Sequence, residues 1–404
     1  MARHGRLKRS STVRTLLKVI VAAAAVLLVS GTSVAAIATW DVANSGKKSV
    51  ALVDKNGKTI TPQVGAMDGA FNVLLAGSDS GDGNPAYGDR GENLNDVTML
   101  LHVSKDHKNA TVVSFPRDMY VPIPSCPDPK GGSFDSMSSQ KINTTLTYGG
   151  LPCTVLTVEK LTGMTIPYAA VIQFDGVIEM SNAVGGVPVC VAGPIDDPYT
   201  GLNLTAGNHT LQGADALAFL RTRHGVGDGS DLGRISNQQV FLSSLMRTIK
   251  SADTLGNPGK VYGIAKAAIS NMTFSEGFKS VPTLASMAFA MKDINLNKVV
   301  FVQYPTFYEG DGVEPQQDAA DQLFTALSND TPITLTGTTG VGSEADPNAP
   351  AGSAPVTPST DSAAPTDGST PTGGATSGSG SVALPDSVHG QTANQYTCSK
   401  PFSD

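Results

Sequence analysis

The 404-residue sequence has no acidic residue before Asp41, no CxxC pair and no HExxH. Without those spacings, zinc-ribbon, dithiol-redox and zincin chemistry are set aside. An excess of basic residues is also missing, since 28 Lys+Arg stand against 35 Asp+Glu for a net charge of −7. A whole-chain, counterion-release grip on nucleic acid is excluded with it. Only 16 % of residues are charged, while 40 % are hydrophobic and Gly and Pro number 43 and 25. Such a composition supports one sizeable core with low-complexity sequence attached.

What charge there is lies unevenly. Arg3, Arg6, Lys8, Arg9, Arg14 and Lys18 fall in the first 18 residues, and the remainder carries 22 cations against 35 acids. Residues 19–38 then carry no charge and are rich in Ala, Val, Leu and Ile, about the 20 residues needed to cross a ~30 Å hydrocarbon core. The positive-inside rule places 1–18 in the cytoplasm and everything after Trp40 outside the cell, as a single-pass membrane protein. Small residues at Ser33-Val34-Ala35 and Val34-Ala35-Ala36 also suit a signal peptidase. The run exceeds the roughly 7–15 residues of a signal h-region, which favours an uncleaved anchor. Cys126, Cys153, Cys190 and Cys398 agree with an oxidising compartment. One bridge among the first three is the economical expectation, with the third thiol either buried or paired to Cys398. Connectivity stays open.

Past a juxtamembrane stalk at 39–70, short apolar runs rich in strand formers occur at 71–76, 97–103, 110–114, 168–173, 187–191 and 299–304. They are bounded by Gly, Pro, Asn or Asp and read as strands of a buried sheet. Helical periodicity marks 151–161, 174–184, 213–223, 237–249 and 281–291. This order predicts one α/β domain over 71–330 with three layers, α/β/α, around a mixed sheet, the 97–114 pair forming an antiparallel hairpin. The Gly/Ser/Thr/Pro-rich stretch 331–404 is expected to be disordered.

Several groups of residues bear chemistry. Asp79 and Asp96 flank a Gly/Asp-rich loop between two strands, where hard carboxylate ligands suit Mg²⁺ completed by water and phosphate oxygens; turn chemistry is the alternative. That loop has neither the Lys of a P-loop nor EF-hand residues, Gly81 and Arg90 standing at the third and twelfth positions. Arg117 follows a strand and Pro116. Lys141 and Asn143 lie at a helix start. Arg221, Arg223 and Arg234 fall within 14 residues, with Asp231 among them. Arginine forks beside a carboxylate pair describe a pyrophosphate site, although each arginine alone also fits a surface ion pair or a helix C-terminus.

Seven of these pieces in order, NVLLAGSDS, NDVTMLLHVS, VVSFPRDMYVPIP, KINTTLTYGG, FDGVIEMSNAVGGVPVCV, LTAGNHTLQGADALAFLRTRHG and DLGRISNQQ, resemble the LytR-CpsA-Psr family of bacterial envelope proteins, in particular its actinobacterial members. The resemblance covers about 71–250. It implies an α/β/α phosphotransferase that moves a glycopolymer from a polyprenyl-pyrophosphate carrier to peptidoglycan with Mg²⁺, its lipid tail held in an apolar groove. It also implies Asp79 and Asp96 as metal carboxylates and Arg117, Arg221, Arg223 and Arg234 as phosphate ligands, Arg117 and Arg221 being catalytic. Lys141 and Arg90 would be further substrate contacts, and Asp231 a base for the acceptor hydroxyl. Asn237 stands where many members carry Arg, and the Arg often found soon after the first Asp is replaced, with Arg90 a substitute. A non-catalytic binder of polyprenyl-linked glycan is the competing expectation.

Overall fold

Along Phe71–Ser78 (β1), alternate side chains enter two different apolar clusters, Leu74 and Ala76 on one face, Val73 and Leu75 on the other. The same split recurs in Asn95–Val103 (β2), Ala110–Phe115 (β3) and Val299–Gln303 (β6), so the sheet is buried on both faces. A period of two with apolar residues in both phases requires a covering layer on each side. With Tyr168–Ile172 (β4), Met272–Phe274 (β5) and Gly390–Thr392 (β7), these form a seven-stranded sheet ordered β5-β4-β1-β2-β3-β6-β7. The pairs β1–β4 and β3–β6 are parallel and the rest antiparallel. The expected mixed sheet and its β2–β3 hairpin are therefore present.

In this computed structural model the described residues are 46–60, 67–80, 93–350 and 380–403, together with Trp40, Asp41, Asn44, Pro62 and Tyr87. The basic segment 1–18, the expected span 19–38 and Arg90 lie outside them. Among the described residues no helix is long and apolar enough to cross a membrane.

Helices Thr145–Thr162 (α1) and Gln317–Ser328 (α7) cover one face of the sheet through residues such as Leu151, Val155, Leu323 and Phe324. Asp231–Lys250 (α4), Pro258–Asn271 (α5) and Val281–Met291 (α6) cover the other through Leu242, Met246, Ile269 and Met287. Phe174–Val184 (α2) and Gly213–Arg221 (α3) supply Val184, Ala216 and Phe219 to a third cluster. α1 is interrupted at Gly149–Gly150, where Gly150 takes φ 65°. A Cβ on Gly149 would meet Cys153 and Cys126 Cβ at 2.8 and 2.9 Å, so the Cys126–Cys153 bridge demands glycine there.

Three expectations need correction. Val187–Val191 does not join the central sheet; it belongs to a four-stranded sheet between Gly207–Leu211 and Thr397–Ser399, with Ser343–Ala345 beyond. The stalk is partly docked, since Leu52 is buried in the core, Val50 bridges to Ser275, and Lys279 Nζ donates to the carbonyls of Gly46 and Lys47 at 3.1 and 2.6 Å. Lastly, the region 331–404 is ordered wherever it is described: β7 completes the central sheet, Leu384, Val388 and Ala393 are buried, and Cys398 is bonded to Cys190. Averaging over a Gly/Ser/Pro-rich composition hides a short segment with its own apolar residues and a covalent staple.

Candidate functional site

β1 and β3 run in the same direction with β2 antiparallel between them. One edge of the sheet therefore gathers the residue after β1, the start of β2 and the turn after β3, which are Asp79, Asp96 and Arg117. Register pairs Ser78 with Asn95, so Asp79 and Asp96 stand on adjacent strand ends. Asp79 is buried, its backbone N–H donates to the Leu94 carbonyl at 3.1 Å, and its Oδ1 accepts from the Leu94 N–H at 2.9 Å.

α4 begins at the same edge. Ser230 caps it by accepting from Gly233 N–H at 3.2 Å, and Asp231 and Arg234 occupy its first turns on one side. Arg234 is 4 % exposed; its Nη2 donates to the Asp96 carbonyl at 2.6 Å and lies 2.6 Å from Asp231 Oδ1, while its Nη1 is 4.0 Å from Asp96 Oδ2. The Arg117 guanidinium is hydrogen-bonded to Asp96 Oδ1, and its backbone N–H donates to Asp231 Oδ2 at 2.8 Å. Burial pushes the Asp96 carboxyl upward, but the charges of Arg234 and Arg117 outweigh it and hold the group below the usual carboxylate range. For Arg117, burial works against the charge, and Asp96 more than restores it, raising the group above its ordinary value.

Asp118 gathers a second set of cations: Arg117 Nε and Arg223 Nη2 at 3.6 Å each, and Lys141 Nζ at 3.8 Å. Lys141 is further tied to Asp311 Oδ2 at 3.0 Å, and Tyr120 OH donates to the same carboxylate at 2.8 Å. Asp311 sits on the hairpin Thr306–Glu309/Gly312–Pro315, whose Tyr308 OH donates to Asp228 Oδ2 at 2.8 Å just before α4. Arg223 has the opposite balance to Arg117, since burial and the nearby Arg117 charge lower it. Arg221, at the end of α3, stacks over the Phe174 ring at 4.3 Å, and its charge is felt at Asp96.

Six of the expected residues, Asp96, Arg117, Lys141, Arg223, Asp231 and Arg234, thus form one ion-pair network. Asp118 and Asp311 were missed by sequence reasoning. Asp118 carried a usable signal, standing next to Arg117 in the same turn, whereas Asp311 is brought in by a distant hairpin. Asp231 does not stand free as a base would: it is buried, and both its oxygens are engaged by Arg117 and Arg234. Asn237, where an arginine was expected, is buried and donates to the Phe219 carbonyl at 2.6 Å while accepting from Ser399 Oγ. It joins α3 to the C-terminal strand.

The sequence matches the model of the LytR_cpsA_psr family over residues 32–329. The chain belongs to this family. Among LytR-CpsA-Psr relatives it is 31 % identical to the cell wall biosynthesis protein LcpA of Corynebacterium glutamicum, over 71 % of this chain and 59 % of LcpA. It is 30 % identical to TagT of Bacillus subtilis, named a polyisoprenyl-teichoic acid–peptidoglycan teichoic acid transferase, over 70 % of this chain and 88 % of TagT. The chain spans about three fifths of the length of LcpA and of the related LcpB. The fold agrees with that of a LytR-Csp2A-Psr enzyme from Actinomyces oris at TM-score 0.52 and 21 % identity, covering 70 % of this chain and 95 % of that one.

Two tests bear on ligands of this LytR-CpsA-Psr site. Arg117, Arg223 and Arg234 each bury an Nε–H that finds no hydrogen-bond acceptor among the described residues, a costly arrangement unless an anion is to be held. The paired carboxylates on adjacent strand ends, with Asp96 held ionised, fit the donor set of a Mg²⁺ ion that keeps waters and phosphate oxygens for the rest of its shell. Among the described residues, the group of metal-type ligands that comes close together is Cys190, Asp346 and Cys398, and its sulfurs are consumed by their own disulfide. A cavity of about 370 Å³ lies at the opposite end of β1, lined by Met67, Asp68, Phe71 and Tyr168, and is not part of this site.

Proposed function

We propose that this protein is a membrane-anchored phosphotransferase that attaches a glycopolymer, carried on a polyprenyl pyrophosphate, to peptidoglycan. The observation that carries the reading is a set of three arginines, Arg234 buried and Arg117 and Arg223 half-buried, whose buried Nε–H donors find no acceptor among the described residues at one sheet edge. The names of TagT and LcpA support the same direction. In the proposed step a hydroxyl oxygen of the peptidoglycan sugar attacks the phosphorus that bears the glycan. The bond from that phosphorus to the bridging oxygen breaks, polyprenyl phosphate leaves, and the hydroxyl proton passes to solvent.

Transfer of this kind leaves little covalent work to the protein, so positioning and charge stabilisation dominate. Arg117 and Arg223 hold the two phosphoryl groups through planar forks. Arg234 fixes Asp96, and Asp231 fixes Arg117 and Arg234, so Asp231 acts in this mechanism as a positioning residue. Lys141 and Arg221 complete the positive rim, Arg90 lying outside the described residues. Asp79 and Asp96 would hold Mg²⁺, which when bound neutralises charge on the phosphoryl oxygens. Residues 19–38 would span the membrane with 1–18 in the cytoplasm, bringing the site to the lipid carrier.

The test incubates the full chain with a synthetic polyprenyl-pyrophosphate glycan, Mg²⁺ and uncrosslinked peptidoglycan, and reads glycan on the acceptor by mass spectrometry. Metal-dependent transfer that is lost in Arg117→Ala is expected. Tight binding of the donor with no transfer to any acceptor would overturn the enzyme in favour of a non-catalytic glycan carrier.

A further inference from the structure

Trp40, the one tryptophan of the sequence, is 70 % exposed, and its neighbour Asp41 is pinned to α5: Lys266 Nζ reaches Asp41 Oδ2 at 2.7 Å, and Tyr262 OH is hydrogen-bonded to the same oxygen. Only a residue or two separates this anchor point from the uncharged run 19–38. Helix α5 therefore cannot stand far from whatever that run occupies.

The surface around this anchor is unusual for one that faces water. Leu255, Val261 and Phe289 are 52, 44 and 71 % exposed. They come from three segments, of which α5 and α6 contribute Ile269 and Met287 to one apolar cluster beneath this surface. Lys250, at the end of α4, donates from Nζ to the Lys292 carbonyl at 3.0 Å, just past α6. The chain then passes through the short helix Ala252–Leu255 into α5. Helix α6 contains no charged residue, although Pro282, Ala285 and Ala288 are exposed beside Phe289. The segment is net basic: residues 250–298 contain six Lys against three acidic residues in a chain of net charge −7. Lys292 lays its ammonium over the Phe289 ring at 4.8 Å. Four of these lysines are held within the protein, Lys266 by Asp41, Lys279 by the Gly46 and Lys47 carbonyls, Lys250 by the Lys292 and Ile294 carbonyls and Lys292 by Asp293. Exposed aromatic and aliphatic side chains on a net-cationic segment match an anionic bilayer surface, where apolar groups enter the headgroup boundary.

We infer that the face formed by α5, α6 and the Ala252–Leu255 turn rests on the outer surface of the membrane, with Leu255, Val261 and Phe289 in the headgroup layer. The inference rests on the reading of 19–38 as a membrane span. It adds an orientation to that reading, because this face would fix which way the sheet edge points.

The experiment reconstitutes the full chain in nanodiscs of anionic phospholipid brominated near the headgroup and reads tryptophan emission against unbrominated discs. Trp40 of the unaltered chain reports the span. The indole introduced by Phe289→Trp in a Trp40→Phe background reports the face. Loss of emission from both indoles in brominated discs is expected. Quenching of Trp40 with undiminished emission from the position-289 indole would overturn the docked face and leave the span standing. Undiminished emission from both would overturn span and face together.

Discussion

The backbone N–H of Arg117 donates to Asp231 Oδ2 at 2.8 Å, although 114 residues separate the two in sequence. Through that bond one buried carboxylate ties the turn after β3 to the first turn of α4, and its other oxygen faces Arg234 at 2.6 Å. One arginine proposed to hold phosphate, Arg117, and the one that fixes Asp96, Arg234, are therefore placed by a single acid.

Removing that acid should damage stability and activity together. In Asp231→Ala, buried Arg234 loses its close carboxylate and keeps only that of Asp96 at 4.0 Å, and breaking a buried ion pair in this way costs up to about 3–5 kcal/mol. Urea unfolding at neutral pH, followed by circular dichroism, reads it. A variant as stable as the parent would show that Asp231 does not carry the network.

Arg223 should separate function from fold. Its nearest carboxylate, Asp118, is 3.6 Å away, beyond hydrogen-bond length, so little native stability depends on it. Arg223→Lys keeps the charge and removes the planar fork. Transfer should fall by roughly 10²–10³-fold, as for loss of one preorganised donor to a developing charge, with an unchanged thermal midpoint.

Asp96 gives stability a defined pH limb. Its folded value lies below the ordinary 3.8 because Arg234 and Arg117 overcome the effect of burial. A depressed carboxylate contributes stability that is fully present above the unfolded value and is lost as pH falls through the folded one. Urea midpoints should therefore hold from neutral pH down to about 4 and decline below it. Asp96→Asn should flatten part of that decline while lowering the midpoint at pH 7.

The C-terminal staple should matter more than the internal one. Cys190–Cys398 spans 208 residues and Cys126–Cys153 spans 27, and loop-closure entropy grows with loop length. Cys398→Ser is expected to cost about 2–5 kcal/mol and to loosen β7. Peptide mapping without reductant should recover both pairings, and denaturant titration of each Cys→Ser variant ranks them.

Much of this was legible in the residues. Strands β1, β2, β3, β4 and β6 lay within a residue or two of their apolar runs, and α2 and α6 matched their periodicity, because a buried sheet and its covering helices leave an apolar signature that turns interrupt. Arg223 and Arg234 stood out as part of an arginine cluster flanking a Gly-rich loop and Arg117 as following a strand and Pro116, while their phosphate role came from the family resemblance. The role of Asp231 was not legible, since whether a carboxylate is free or held depends on neighbours that sequence spacing does not reveal.

Local pattern alone thus determined most of the central strands, most helices and the uncharged run at 19–38, each being a property of a few consecutive side chains, whereas the candidate site residues were singled out as a site through the family resemblance. Only tertiary structure decided that Val187–Val191 leaves the central sheet, that the C-terminal segment completes it, that Cys190 takes Cys398, and that Asp118 and Asp311 enter the cation cluster. Those outcomes turn on pairing between residues far apart in sequence, where geometry selects one partner among many that are chemically equivalent.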